Sequence, residues 1–105
     1  MTLSTHVLDT ARGEPAAGVP VRLERDGATV AEAVTDADGR VRDLVPGTGP
    51  IATGRYRLVF DTAAYLGPGA FFPSVSVDFA VADADRHYHV PLLLSPFGYS
   101  TYRGS

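Results

Sequence analysis

Apolar residues in this chain recur at every second position in short runs, and no stripe of helical period lasts three turns. That alternation sends successive side chains to opposite sides of an extended backbone, so it commits the chain to half-buried strands. The run "SVSVDFAV" (74–81) is the plainest case, with Val75, Val77, Phe79 and Val81 on one side. "VPVRLERD" (19–26) sets Val19, Val21 and Leu23 against Arg22 and Glu24. "RYRLVFD" (55–61) sets Tyr56, Leu58 and Phe60 against Arg55, Arg57 and Asp61. Four further runs read as strands: "LSTHVLD" (3–9), "ATVAEAVT" (28–35), "HYHVPLLLS" (87–95) and "FGYSTYRG" (97–104), with a shorter "RVRDL" after residue 39. Turn chemistry separates them: Asp26-Gly27, "DADG" (36–39), the Gly/Pro-rich "PGTGPIATG" (46–54) and "DADR" (83–86). "TAAYLG" (62–67) has room for one or two helical turns. Seven or eight short strands punctuated in this way predict an all-β antiparallel sandwich forming a single domain over residues 1–105.

Composition removes several kinds of function. A formal charge of −3 gives nucleic acid no basic face to meet. No apolar run approaches the roughly 20 residues a membrane span needs. The start "MTLSTHVLDT" lacks a basic segment followed by an apolar stretch, so a cytoplasmic location is expected. With no cysteine and all nine basic side chains arginine, thiolate and Schiff-base chemistry are both excluded. Proton transfer near neutral pH falls to His6, His87 and His89. A chain of 105 residues buries a modest core, so association with copies of itself would add stability.

Parity says where those histidines point. In 87–95, Tyr88, Val90, Leu92 and Leu94 form the better core face, leaving His87, His89, Pro91, Leu93 and Ser95 on the outer one. In the first strand Ser4, His6 and Leu8 share one side, and Leu3, Thr5, Val7 and Asp9 the other; both sides carry apolar groups. An outer face holding Leu8, Pro91 and Leu93 beside histidines reads as a surface covered by another subunit or as the wall of a cleft. Scattered surface histidines are the plainer alternative.

Other constellations are weaker. His87-x-His89 with His6 could offer three imidazoles to zinc, but no acidic cluster lies nearby in sequence. Asp36-Ala-Asp38-Gly39 resembles the start of a calcium loop without its closing glutamate, and reads as a turn. Ser4 and His6 lack a triad carboxylate, since Asp9 has the opposite parity. "PGTGPIATG" lacks the lysine of a phosphate loop.

Four separated pieces read together: "STHVLDTARGEPA" (4–16), "TDADGR" (35–40), "HYHVPLLLSP" (87–96) and "YSTYRGS" (99–105). They resemble the 5-hydroxyisourate hydrolase branch of the transthyretin-like family, and the final Tyr-Arg-Gly-Ser is what separates that branch from the hormone carriers. The resemblance implies a transthyretin (prealbumin)-like sandwich of two four-stranded sheets with one short helix. It implies a homotetramer, a dimer of dimers, whose active sites line a channel between the dimers. Carried over by motif, the catalytic residues are His6, Arg40, His89 and Ser105, with Tyr102, His6 and Arg40 contacting substrate and His87 flanking. The implied reaction is metal-free and cofactor-free hydrolysis of the cyclic amide of 5-hydroxyisourate, with water activated by a neutral imidazole, His89 or His6. On this reading the last residue and its carboxylate help shape the pocket, and Gly104 lets the backbone turn there.

Overall fold

The computed structural model describes residues 2–45 and 52–105. Along the chain lie β1 (Thr2–Asp9), β2 (Glu14–Pro15), β3 (Pro20–Arg25), β4 (Ala28–Val34) and β5 (Arg40–Val41). They are followed by β6 (Gly54–Phe60), α1 (Ala63–Leu66), β7 (Val75–Val81), β8 (His87–His89), β9 (Leu92–Ser95) and β10 (Gly98–Thr101). One sheet runs β4-β3-β6-β7, antiparallel throughout. Its β3–β4 hairpin turns at Asp26 (φ 51°) and Gly27 (φ 79°), the paired left-handed residues that a twisted two-residue turn requires.

The other sheet is built on β1. β8 and β9 run parallel to it along one side in unbroken register, Thr2 beside His87 and Leu8 beside Leu93. β5 and β2 pair with its other side, and β10 closes the edge against β9. The sheet thus has six segments but is four strands wide, because two of its lines are interrupted. Leu3, Val7, Leu92 and Leu94 of this sheet meet Leu23, Leu58, Phe60 and Val75 of the other in a fully enclosed core.

Two expectations need correction. Residues 87–95 are not one strand: the ladder breaks at Val90–Pro91, where proline has no N–H to donate. Pro91 is consequently buried rather than displayed on the outer face. Likewise 97–104 is strand only over Gly98–Thr101, followed by an isolated bridge at Gly104. The two-residue β2 has no counterpart among the runs read as strands. In β7, Val75 and Val81 are buried while Val77 and Phe79 are half-buried, as befits an edge strand. Residues 46–51 of the Gly/Pro-rich stretch lie outside the described residues.

Candidate active site

The strand register of β1 decides what gathers on the outer face. Leu3, Thr5, Val7 and Asp9 turn inward and are buried, so Ser4, His6 and Leu8 turn out. His6 pairs with Arg40 of β5, and Ser4 with His89 of β8. Three adjacent lines therefore bring Arg40, His6 and His89 to one face. Two strand spacings separate the outer pair, about 10 Å at the backbone, and long side chains close most of that gap.

Each group is held from behind. The turn before β5 is built by Asp36, whose carboxylate accepts the N–H groups of Asp38 (2.9 Å) and Arg40 (3.0 Å). Gly39 (φ 72°) lies so close to β1 that a Cβ there would stand 2.4 Å from the Val7 carbonyl oxygen. The calcium-like "DADG" is thus a turn that docks on β1 and aims Arg40. The Asp38 carbonyl also accepts a 2.9 Å hydrogen bond from His6 Nε2. A carbonyl can only accept, so His6 carries a proton on Nε2 and, when neutral, a lone pair on Nδ1.

His89 Nδ1 is hydrogen-bonded to Ser4 Oγ at 2.7 Å, and the same oxygen lies 3.0 Å from His87 Nε2. The tail meets the other side of the ring. Gly104 N–H donates to the His89 carbonyl at 2.8 Å, and any Cβ at 104 would lie 2.4 Å from His89 Cδ2. Gly104 does not have a left-handed φ. Its expected role as a pivot is therefore corrected: glycine is needed because the backbone passes against the imidazole. The bridge continues the β9–β10 register past Pro91, setting Ser105 next to the pair. Tyr102 and Arg103 line a hollow of about 310 Å³ with Tyr88, His89 and the β7 residues Val77–Ala80. Arg103 stacks over the Tyr88 ring at 5.4 Å.

Electrostatics favour a neutral ring at 89. Burial first, then the Arg40 guanidinium and the neighbouring His87 and His6, hold His89 below the ordinary imidazole value; a hydrogen bond with the Ser4 backbone offsets part of this. At neutral pH the imidazole is therefore a free base.

A family model described as the HIUase/Transthyretin family matches residues 3–104. The chain belongs to the HIUase/Transthyretin family. It is 52% identical to 5-hydroxyisourate hydrolase 2 of Rhizobium meliloti (strain 1021), over 98% of this chain and 95% of that relative. A solved Klebsiella pneumoniae 5-hydroxyisourate hydrolase superposes with a TM-score of 0.89 at 44% identity, covering all of both chains. Sea bream transthyretin, solved with thyroxine, superposes with a TM-score of 0.85 at 34% identity, over 99% of this chain and 95% of that one. The sandwich of two sheets with one short helix is accordingly the transthyretin-like fold.

Within this HIUase/Transthyretin chain, His6, Arg40 and His89 share one face, and the tail bearing Tyr102 and Ser105 runs beside His89. Tyr102 is 54% exposed. Among the described residues no group of His, Cys, Asp or Glu side chains is arranged to hold a metal ion, and the three histidines do not form one. Three contacts escaped the sequence reading: Ser4 Oγ between the two histidine rings, the Asp38 carbonyl behind His6, and the close approach of Gly104, expected only as a pivot, to the His89 ring. Strand parity already set Ser4 and His6 on one side, and that was the available signal for Ser4. The other two depend on how a turn and a tail dock, which no spacing encodes.

Proposed function

We propose that this chain hydrolyses 5-hydroxyisourate to 2-oxo-4-hydroxy-4-carboxy-5-ureidoimidazoline. The observation that carries the reading is the meeting of His6, Arg40 and His89 on three neighbouring lines of one sheet, with the tail laid against His89. His89 is the base. Its imidazole is neutral at pH 7, and the Ser4 contact engages Nδ1, which leaves Nε2 for a water. Water gives its proton to Nε2 and adds as hydroxide to the ring carbonyl carbon. Arg40 pairs with the oxygen on which negative charge develops. The carbon–nitrogen bond then breaks and the ring nitrogen takes up the proton that water lost. His6 binds and orients the ring, as do Tyr102 and Ser105 at the tail. No metal or cofactor enters the scheme.

The working form is a homotetramer, a dimer of dimers, in the cytoplasm. Half-exposed Leu8 and Leu93 on the site's own face support assembly, since a partner laid there would turn an open surface into a water-poor pocket. The test is the decay of absorbance of 5-hydroxyisourate freshly made by urate oxidase, read against the spontaneous decay without protein. Acceleration by the purified chain is expected. A rate equal to the blank would favour a non-catalytic carrier of the kind represented by the thyroxine-bound sea bream protein.

A further inference from the structure

His87 does more than flank. Strand register sets Thr2 beside His87 and Ser4 beside His89, so two hydroxyls and two imidazoles alternate across β1 and β8. The side chains link in that order: Thr2 Oγ1 to His87 Nδ1, His87 Nε2 to Ser4 Oγ at 3.0 Å, and Ser4 Oγ to His89 Nδ1 at 2.7 Å. We propose that Thr2, His87 and Ser4 form a relay that engages Nδ1 of His89 and draws off the Nδ1 proton when Nε2 takes one from water, returning it when the ring nitrogen leaves. The inference rests on the reading of His89 as the base.

Hydroxyls both donate and accept, so the chain has two self-consistent directions. In the first, His89 Nδ1–H donates to Ser4, Ser4 donates to His87 Nε2, and His87 Nδ1–H donates to Thr2. His89 Nε2 then bears a lone pair and serves as base. When Nε2 takes a proton from water, the Nδ1 proton passes to Ser4 Oγ and the Ser4 proton passes to His87 Nε2. His89 is again neutral, now as the Nε2–H form, and His87 is the imidazolium. When the carbon–nitrogen bond breaks, Nε2–H gives its proton to the ring nitrogen and both transfers reverse. The chain returns to its starting direction with no proton gained or lost.

The placement of the two rings explains why the charge would move. His89 is half-buried beside Arg40, where a second positive charge is unfavourable, whereas His87 is exposed to water. His87 and Ser4 line a hollow of about 140 Å³ with Arg40 and Arg42 of the opposite line. His6 faces the same side from β1, and Arg103 comes from the tail against Tyr88. Water around exposed His87 screens a proton held there from these cations.

Ser4→Ala and His87→Gln test the relay, the second because glutamine can hydrogen-bond but cannot hold a proton. Each is expected to lower kcat about 10–100-fold with little change in KM, the loss of one hydrogen-bonded link to a charged intermediate. Ser4→Thr, which keeps the hydroxyl, should recover most of the rate. Nitrogen-15 NMR of the unsubstituted protein should show His89 protonated on Nδ1, and Ser4→Ala should shift it towards Nε2–H. Rates in mixtures of light and heavy water should curve for the unsubstituted protein and become straight in His87→Gln. Full kcat in both variants with an unaltered His89 tautomer would overturn the relay while leaving the base intact. Full rate in His89→Ala would remove the base assignment and the relay with it.

Discussion

At His89 the features that suit the proposed base also predict a pH signature. Burial and the Arg40 charge depress its protonation, so the neutral form persists to lower pH than in a free imidazole. The acid limb of kcat/KM is therefore expected below 6.5, the ordinary value. Arg40→Gln should move the limb upward on whatever activity remains, because it removes a cation that opposes protonation. A limb unmoved by that change would mean that Arg40 does not face the base. Gly104 gives the second prediction at this scale. A methyl at 104 would sit 2.4 Å from His89 Cδ2, so either the ring or the tail must yield. Gly104→Ala should keep its denaturation midpoint and lose about 10-fold or more in kcat, because even small misplacement of a reacting group is costly. Parity along residues 87–95 made the outward face of His89 readable beforehand, whereas along β1 apolar groups on both sides left the face of His6 open. The need for glycine at 104 was not readable, because it arises from a contact between residues distant in sequence.

Turns and strand ends do the aiming. Gly39 combines a left-handed φ of 72° with a close approach to the Val7 carbonyl, and it directly precedes Arg40. Gly39→Ala is expected to cost about 1–3 kcal/mol in urea unfolding and to lower kcat as Arg40 shifts. Loss of stability without loss of rate would separate the turn from the site. Asp9, at the inner end of β1, accepts hydrogen bonds from the Ala11 and Arg12 N–H groups at 3.0 Å and from the Tyr65 hydroxyl of α1 at 2.7 Å. Burial raises its carboxyl, but these hydrogen bonds together with Arg12 outweigh it and the folded value is depressed. The stability Asp9 contributes is thus present above the unfolded carboxylate range and is lost as pH falls through the folded value. Tyr65→Phe should remove about 1 kcal/mol at neutral pH, with a smaller effect once Asp9 is protonated. Alternation located nearly every element, and the Asp-Gly turn fell where Asp26 and Gly27 stand. The break at Pro91 was misjudged because Tyr88, Val90, Leu92 and Leu94 keep one parity across a residue that cannot join the ladder.

On the scale of the whole molecule, the fold was legible because two-residue periodicity and turn chemistry agree along almost all of the chain. The site was legible only in part. Its ionisable members fall in recognisable motifs, while their supports (a serine, a carbonyl and a glycine) are ordinary residues made special by docking. The proposed assembly rests on the weakest trace, apolar side chains on an outer sheet face. Sedimentation equilibrium should give a mass four times the 11.1 kDa of one chain. A monomer of full activity would show that one protomer holds a complete pocket.

That His6, Arg40 and His89 act as one hydrolytic unit is tested most directly by a double-mutant cycle on kcat/KM for 5-hydroxyisourate. His89→Ala and Arg40→Ala should each lower it about 10²–10⁴-fold, and the double variant should be little worse than either alone. Losses that simply multiply, or a single variant at full rate, would contradict the account.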